Sequence, residues 1–558
     1  MSVRTLLLIG TLCATDALFA NDKADRVFLN GRVFTGDPAR PRAEALAVRG
    51  PTILAVGTTA EIRKRAEKGT DVVDLHGGFV VPGFIDAHQH FLSGSLSMGQ
   101  LDLAGCDQLS LLQERLASYA RSRADSPWIV GRGWGYAVFP DRAPHRRYLD
   151  AVVDDRPVYL RNRDGHAALA NSRALALAGV SRDTKDPAGG VIQRDASGEP
   201  TGLLEEQATE LVSRHIPTPS QDERVAAVRK GLSRAASLGL TSVHEAGIDE
   251  GELAVLDALE TDGLLTVRFF VALEMLKRPT PDQLAAQAAV RASHQGRRVR
   301  VGAVESLLDG TVDSKTAWMF EPYVGGGTGL PRWSVEELEQ SIVAYDKEAW
   351  QIQIHAAGDR AIATTLDAYE KAARANGTKG RRHRIEHVEV PRLSDLPRFE
   401  ALDVLASTQA LFALPDRVPL ETDSVLIGPE RAARAHAFRL FDDAGAVQAF
   451  GSDWPVFPND VLLGIFVAAT RQNPDGTPAG GWHPESRISV EAALRHYTRD
   501  AAYAAREETV KGTLMPGFLG DFTVLSDDIL AIPPASIPKT RVLRTVVGGN
   551  DTFVAGGR

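Results

Sequence analysis

Residues 83 to 507 alternate between short apolar runs and longer amphipathic stretches. Short apolar runs are typical of buried strands, and the amphipathic stretches between them predict helices. The alternation therefore indicates βα units and a parallel sheet. We identify eight strand candidates, at 83–88, 241–244, 266–273, 299–305, 351–355, 383–387, 404–409 and 447–452. Because eight parallel strands close a barrel, we predict an α/β barrel over 83–507.

The first two strand candidates are separated by about 150 residues, far more than one βα connection needs. We therefore predict an insertion at about 100–235, after the first barrel strand. It contains strand-like segments at 128–131 and 157–161, a helical segment at 172–178, and a stretch rich in Gly, Pro and Asp at 179–202.

The two ends of the chain look alike and differ from its middle. Asn30-Gly31 separates two short apolar runs, which is a strong hairpin signal. Further hairpins are predicted over 45–56, 72–81 and 542–554, with turns at Gly50-Pro51, Gly77-Gly78 and Gly548-Gly549-Asn550. We therefore predict one small β domain that is assembled from residues 21–82 and 508–558.

Composition and charge exclude several classes of protein. Of the 558 residues, 44% are hydrophobic and 24% are charged, which excludes a disordered chain. The net charge of −9 gives no electrostatic support to nucleic-acid binding, and we expect no nucleic-acid partner. The expected partner is a small-molecule substrate, on the grounds given below. The only cysteines, Cys13 and Cys106, exclude a disulfide scaffold and a thiolate metal cluster. The sequence leaves open whether the chain forms a homodimer.

Residues 1–20 resemble a secretory signal peptide. Arg4 precedes an apolar run at 6–12, and the small residue Ala20 precedes a polar segment. The alternative is an ordinary apolar N-terminus. No later run approaches the roughly 20 apolar residues that span a bilayer. We therefore expect an exported protein, periplasmic or secreted, whose mature form has no stable membrane insertion.

Ligand-type side chains fall at the carboxyl ends of five predicted strands, the edge where catalytic groups of barrels collect. Two histidines with one residue between them point the same way from a strand end, so both can reach one cation. Each of these side chains taken singly also fits a hydrogen-bonded loop residue, but six together indicate a metal site. Imidazole and carboxylate ligands suit zinc, and manganese, iron, cobalt and nickel also accept them. The candidates are His88, His90, Glu305, His355, His387 and Asp453.

Several sequence blocks together resemble the metal-dependent amidohydrolase superfamily, in particular the amidohydrolase 3 branch that includes N-substituted formamide deformylases. The resemblance covers nearly the whole chain after residue 20 and implies a distorted TIM barrel flanked by a β-sandwich. The matching blocks are Pro82 to His90, Asp164-Gly165-His166-Ala167, Asp309-Gly310, His355 to Arg360, Arg384-Ile385-Glu386-His387, Gly451 to Pro455 and Gly520-Asp521-Phe522.

The resemblance also implies a role for each candidate ligand. His88 and His90 would bind one metal, and His355 and His387 a second. Asp453 would bind the first metal and act on the nucleophilic water as general base, then as general acid. Many relatives carry a carboxylated Lys on the fourth strand, where this chain has Glu305. Lys315 is the alternative, ranked below Glu305, and the number of metals, one or two, stays open.

We predict hydrolysis of a non-peptide C–N bond in an amide, an N-formyl or N-acyl amine, or a cyclic amide. The alternatives are an ester or lactone hydrolase that uses the same site, and a catalytically silent protein that only holds metal. Barrel pockets are shaped by loops, so the insertion is the candidate lid. Trp134, His166, Trp318 and Gln409 are the candidate substrate contacts and suggest an apolar or aryl-bearing substrate.

Overall fold

The computed structural model describes residues 23–415 and 425–556, so the predicted signal peptide at 1–20 lies outside the described residues. The strands in chain order are β1 (Arg26–Leu29), β2 (Arg32–Phe34), β3 (Arg42–Ala43), β4 (Ala45–Arg49), β5 (Thr52–Gly57), β6 (Asp71–Asp74), β7 (Phe79–Pro82), β8 (Phe84–Gln89), β9 (Leu101–Asp102), β10 (Ile129–Trp134), β11 (Val158–Asn162), β12 (Ala167–Ala170), β13 (Gly190–Arg194), β14 (Pro200–Glu206), β15 (Leu240–Ile248), β16 (Arg268–Glu274), β17 (Val299–Leu307), β18 (Gln351–Ala356), β19 (Arg384–His387), β20 (Leu405–Gln409), β21 (Gln448–Gly451), β22 (Phe522–Leu525), β23 (Val542–Val547) and β24 (Asn550–Val554).

The α-helices of the described residues follow the same order. They are α1 (Thr59–Arg63), α2 (Phe91–Ser97), α3 (Leu109–Ser122), α4 (Arg147–Asp150), α5 (Ser172–Leu177), α6 (Glu210–Ser213), α7 (Gln221–Ser237), α8 (Glu250–Thr261), α9 (Pro281–Ser293), α10 (Val335–Lys347), α11 (Asp359–Asn376), α12 (Leu396–Leu402), α13 (Pro429–Ala432), α14 (Phe438–Asp443), α15 (Val461–Thr470), α16 (Val490–His496) and α17 (Arg499–Ala504). Across these residues no helix combines the length and the hydropathy needed to cross a bilayer.

The barrel consists of β8 and β15 to β21, which pair in parallel in that order. All eight strand candidates are confirmed. Strands such as β18 are buried along their whole length, as expected when helices cover the sheet. The two end strands meet at their carboxyl ends, where Asp453 N donates to His88 O (2.8 Å) and His90 N donates to Trp454 O (2.8 Å). The fold is therefore a distorted TIM barrel.

A six-stranded sheet, here called the insertion sheet, lies between the first and second barrel strands in the order β13-β14-β12-β11-β10-β9. The predicted strands at 128–131 and 157–161 are β10 and β11, and the predicted helix at 172–178 is α5. The insertion sheet has its own apolar core, in which the Trp134 ring lies 5.3 Å from that of Tyr136 and 5.4 Å from that of Phe139, between centroids.

Two further sheets contain strands from both ends of the chain. Their orders are β5-β4-β1-β6 and β24-β23-β22-β7-β2-β3, and Phe28, Val48, Val80 and Phe522 share the apolar core between them. This is the β-sandwich of the predicted fold class. The hairpins at Gly50-Pro51 and at Gly548-Gly549-Asn550 are confirmed as the antiparallel pairs β4/β5 and β23/β24.

The hairpins predicted at Asn30-Gly31 and at Gly77-Gly78 are wrong. β1 and β2 lie in different sheets, and so do β6 and β7, so both turns carry the chain across the sandwich. The two crossings lie side by side, with Gly77 N donating to Asn30 O (2.8 Å) and Arg32 N donating to Gly78 O (2.9 Å). In each case the two strands joined by the turn pack into the shared core from opposite sheets. This packing decides which strands pair.

A buried ion pair joins the sandwich to the barrel. Arg268, at the start of β16, donates to both carboxylate oxygens of Asp521 at 2.6 and 2.9 Å. Thr523 Oγ1 and Thr545 Oγ1 donate to carbonyl groups of the segment that leads into β15. The sandwich is thus fastened to the amino-terminal face of the barrel, opposite the edge that carries the candidate ligands.

Candidate metal centre

Three candidate ligands converge at the closure of the barrel. His88 Nε2 lies 3.6 Å and His90 Nε2 lies 3.4 Å from Asp453 Oδ1. The three ligand atoms all lie within 4.8 Å of one another. Two imidazole nitrogens and one carboxylate make a donor set suited to zinc and similar divalent cations, with a coordination position left for water or substrate.

The hydrogen bonding of this group fits a metal. His88 Nε2 and Asp453 Oδ1 are both buried, and neither has a hydrogen-bond partner among the described residues. A buried polar atom without a partner is costly unless something else binds it. A cation held by both atoms would remove that cost.

Backbone packing brings the two strand ends this close. A Cβ on Gly451 would lie 2.6 Å from His88 N, so only glycine fits beside β8 at this point. Asp453 has a φ of +55° and His387 a φ of +73°, a left-handed conformation that is unusual for residues other than glycine. Such strained residues cluster at functional sites, because the surrounding structure must hold them in place.

The neighbouring acceptors indicate which nitrogen of each histidine is free to bind. His88 Nδ1 lies 2.9 Å from Glu386 Oε2, and His90 Nδ1 donates to Ala246 O (3.2 Å). With Nδ1 carrying the proton, Nε2 of each ring keeps its lone pair for a metal. Glu386 is held in turn by Arg384, whose Nε lies 2.8 Å from Glu386 Oε1.

Glu305, His355 and His387 lie beside this group without joining it. Glu305 Oε1 is 3.9 Å from His88 Nδ1, the nitrogen on the far side of the ring from Asp453. His387 Nδ1 is 4.0 Å from Asp453 Oδ2, and the His355 and His387 ring centroids are 4.3 Å apart. Within 23–415 and 425–556 no second set of three ligand atoms converges as closely as the first.

Lys315, the alternative to Glu305, donates its Nζ to Val324 O at 3.4 Å in an exposed loop. It does not belong to the converging group.

The charges in the group are strongly coupled. Burial raises the pKa of Asp453 to about 7. Burial alone would lower the pKa of His88, but the carboxylates of Glu386 and Glu305 outweigh it and raise that pKa to about 10. Both shifts favour the protonated forms of Asp453 and His88, and a divalent cation bound by these side chains would displace those protons.

A cleft lined by aromatic residues, here called the aromatic cleft, opens onto this group and has about 550 Å³ of empty space, partly open to solvent. His355, His387 and Asp453 line it from the barrel, and His166 lines it from the insertion sheet. Its apolar wall consists of Val312, Phe412, Val456 and Phe457.

The four candidate substrate contacts occupy different places. His166 lines the aromatic cleft, and its ring centroid is 5.0 Å from that of His355. Gln409 Oε1 accepts from His387 Nδ1 at 2.9 Å, so it orients a histidine rather than lining the cleft. Trp318 packs in the barrel core beneath the Arg360 guanidinium. Trp134 is fully buried in the insertion sheet and donates its Nε1–H to Leu160 O (2.7 Å). Neither tryptophan lines the described part of the cleft.

Sequence reasoning missed a buried carboxylate that organises the cleft wall. Glu206 binds His166 Nδ1 (3.1 Å), Thr316 Oγ1 (2.6 Å) and the Arg332 guanidinium, and so joins the insertion sheet to the loop after β17. It has a φ of +52° and is 3% exposed. No local motif marks Glu206, because its partners come from distant parts of the chain.

Asp309 is a second buried carboxylate whose role sequence reasoning missed, although it belongs to the matching block Asp309-Gly310. It accepts backbone N–H groups of Trp318 (2.7 Å), Ala357 (3.0 Å) and Gly358 (2.9 Å). Asp309 therefore holds the loop after β17 against the end of β18, where His355 lies.

The chain is similar to known proteins over nearly its whole length. The model described as "Amidohydrolase family" matches residues 71–553. Protein LONG AFTER FAR-RED 3 of Arabidopsis thaliana is 36% identical, over 95% of this chain and 92% of the relative. N-substituted formamide deformylase of Arthrobacter pascens is 26% identical, over 94% and 97%. The crystal structure of an uncharacterized metal-dependent hydrolase from Pyrococcus furiosus superposes with a TM-score of 0.70 at 26% identity, over 90% and 99%.

Proposed function

The chain belongs to the amidohydrolase family, and from this premise we propose that it hydrolyses a non-peptide C–N bond with Asp453 as general base and general acid. The substrate is an amide, an N-formyl or N-acyl amine, or a cyclic amide. One observation carries the proposal: a buried carboxylate oxygen of Asp453 lies between His88 Nε2 and His90 Nε2, and the same residue lines the aromatic cleft.

His88, His90 and Asp453 would hold one divalent cation, for which we propose zinc. The convergence of a single set of three ligand atoms in the described chain supports one cation rather than two. A bound divalent metal polarises a substrate carbonyl and lowers the pKa of water toward neutrality.

Asp453 moves the proton in both halves of the reaction. Its carboxylate accepts the proton of the attacking water and then gives it to the leaving nitrogen, because an amide nitrogen departs only as a neutral amine. Asp453 belongs to the ligand group and also lines the aromatic cleft, which supports this role.

His166 is the hydrogen-bond donor on the opposite wall. Burial lowers its pKa, but the Glu206 carboxylate outweighs burial, so the pKa is raised and the ring is favoured in its charged form. Nδ1 is occupied by Glu206, and Nε2 has no hydrogen-bond partner among the described residues. We therefore assign His166 Nε2–H to the substrate carbonyl oxygen, where negative charge develops during attack.

The test is a hydrolysis screen on the purified protein, with bound metal measured first. N-substituted formamides come first, because the Arthrobacter pascens relative is named for them, followed by N-acyl amines, cyclic amides and aryl esters. We expect amine release that is lost on chelation and restored by the metal. Activity that survives complete metal removal would overturn the mechanism. Ester hydrolysis without amide hydrolysis would reassign the substrate, and bound metal without turnover would indicate a silent metal holder.

A further inference from the structure

A second cleft, here called the arginine cleft, adjoins the metal centre. It is lined by His90 and Gly247 from the barrel and by Arg132, Arg161 and Glu206 from the insertion sheet. Asp164, His166 and Val456 line both this cleft and the aromatic cleft. The two clefts therefore meet at the metal centre, so a bound molecule can extend into both.

Two arginines in this cleft form no ion pair with any residue that the structure describes. Arg132 and Arg161 are paired neighbours on the parallel strands β10 and β11. Arg132 is partly buried, and the one hydrogen bond of its side chain in the described chain is the donation of Nη2–H to Arg163 O (2.7 Å). The Arg161 side chain makes no hydrogen bond or ion pair with any residue in 23–415 or 425–556.

The proximity of the two guanidinium groups is unfavourable as it stands. Burial and the charge of Arg161 lower the pKa of Arg132 to about 10. Arg132 is half-buried, where an unpaired charge is costly, whereas the neighbouring Arg161 side chain is exposed at the mouth of the cleft.

The buried carboxylates that line the same cleft do not supply that counter-charge. Glu206 is engaged by His166, Thr316 and Arg332. Glu245 accepts the backbone N–H of Phe91 (2.7 Å). Neither forms an ion pair with Arg132 or Arg161. Asp453 and Asp164 attract Arg132, but burial and the charge of Arg161 outweigh them, so the two arginines remain available to a ligand.

We propose that Arg132 and Arg161 form a subsite for a carboxylate of the substrate, so that the substrate is an N-acyl or N-formyl amino acid. This deepens the proposed function and rests on it. The planar guanidinium groups bind a carboxylate through paired hydrogen bonds. The apolar part of the substrate lies in the aromatic cleft, the carboxylate lies in the arginine cleft, and the scissile amide lies between them at the metal centre.

The proposal is tested with a matched pair of compounds, N-formylphenylalanine and N-formylphenylalaninamide, which differ in the charged group alone. We expect the wild-type kcat/KM to be at least about tenfold higher for the acid, since a hydrogen bond to a charged group contributes about 1.5–3 kcal/mol and 1.4 kcal/mol is tenfold. Arg132→Met and Arg161→Met should each lower the acid-to-amide ratio by about tenfold. Arg132→Lys should restore part of it. Arg121→Met, on the exposed face of α3, is the matched control and should leave the ratio unchanged.

A binding measurement separates this proposal from the proposed function. Calorimetric titration of the metal-loaded protein with phenylacetate needs no turnover, and we expect binding that weakens about tenfold in each Met variant. If neither compound is hydrolysed but the arginine-dependent binding is seen, the proposed function fails and the anion subsite stands. Equal hydrolysis of acid and amide by the wild type, or phenylacetate binding that both Met variants retain, would overturn the subsite.

Discussion

The barrel edge and the insertion sheet contribute different things to one site. The metal-binding group comes from residues at the closing strands of the barrel, within a few residues of β8 and β21. The insertion sheet and its loops contribute His166, Glu206, Arg132 and Arg161, which reach the same place from a separately packed core. The comparison indicates that the barrel edge supplies the metal ligands and the general base, whereas the insertion sheet supplies the groups that contact and select the substrate.

The largest effect is expected from Asp453→Asn at the barrel edge. The amide cannot accept a proton from water, so we expect kcat to fall by about 10²–10⁴-fold on every substrate tested. Steady-state kinetics on two or more substrates measures the loss. Asp367→Asn, on the outer helix α11, is the control and should retain activity. A loss of activity on only one substrate would contradict the roles assigned to the two regions, because it would show that the barrel edge selects the substrate.

Metal content gives the second test of the barrel edge. His90 belongs to the converging ligand group, whereas His355 Nε2 donates to Gly310 O at 3.1 Å and lies outside the group. We expect His90→Ala to lose nearly all bound metal and His355→Ala to keep it, as measured by elemental analysis of the purified variants. Equal metal loss in both variants, from two ions per chain in the wild type, would show a binuclear site instead.

Trp134→Ala tests whether the insertion sheet is a unit of its own. Removing this fully buried ring should cost about 3–5 kcal/mol of unfolding free energy, because a large cavity is left. Urea denaturation measures the cost, and bound metal should persist because the ligand group lies in the barrel. Trp134→Phe keeps most of the apolar volume and serves as the matched variant. Loss of metal in Trp134→Ala would show that the two regions are not separable.

The smallest effect is expected at a single contact between the regions. Thr311 Oγ1 donates to Asp164 Oδ2 at 2.8 Å, across the boundary between the barrel loop and the insertion sheet. Thr311→Val should raise KM by a few-fold, corresponding to about 0.5–1.5 kcal/mol for one hydrogen bond, with kcat nearly unchanged. Thr328→Val, in the same loop, is the control. A fall in kcat with unchanged KM would instead tie this contact to the chemical step.

Local sequence pattern predicted the barrel well because its strands are short, mostly buried segments that alternate with amphipathic helices. The same reasoning failed at Asn30-Gly31, since a turn signal states that the chain reverses but not which sheet each strand joins. In the site, the alternation of side chains along a strand was enough to predict that His88 and His90 point the same way.

Glu206 and Arg132 could not be found in this way. The partners of Glu206 lie on the barrel loop after β17 and at His166, just before β12. Arg132 is marked only by its place in the arginine cleft and by the absence of an ion pair among the described residues. Such residues are defined by tertiary contacts, and a single sequence does not specify those contacts.

The pairing of β7 with β22 has a consequence for how the protein is made. Val80 lies opposite Val524, and β7 runs almost directly into β8, the strand that leads to His88 and His90. β7, which leads into the ligand-bearing strand β8, therefore cannot pair with β22 until nearly the last segment of the chain has been synthesised. Joining residues so distant in sequence has a high loop-closure entropy and slows folding. A nascent or C-terminally truncated chain should then be unable to complete its metal centre, however much of the barrel it already contains.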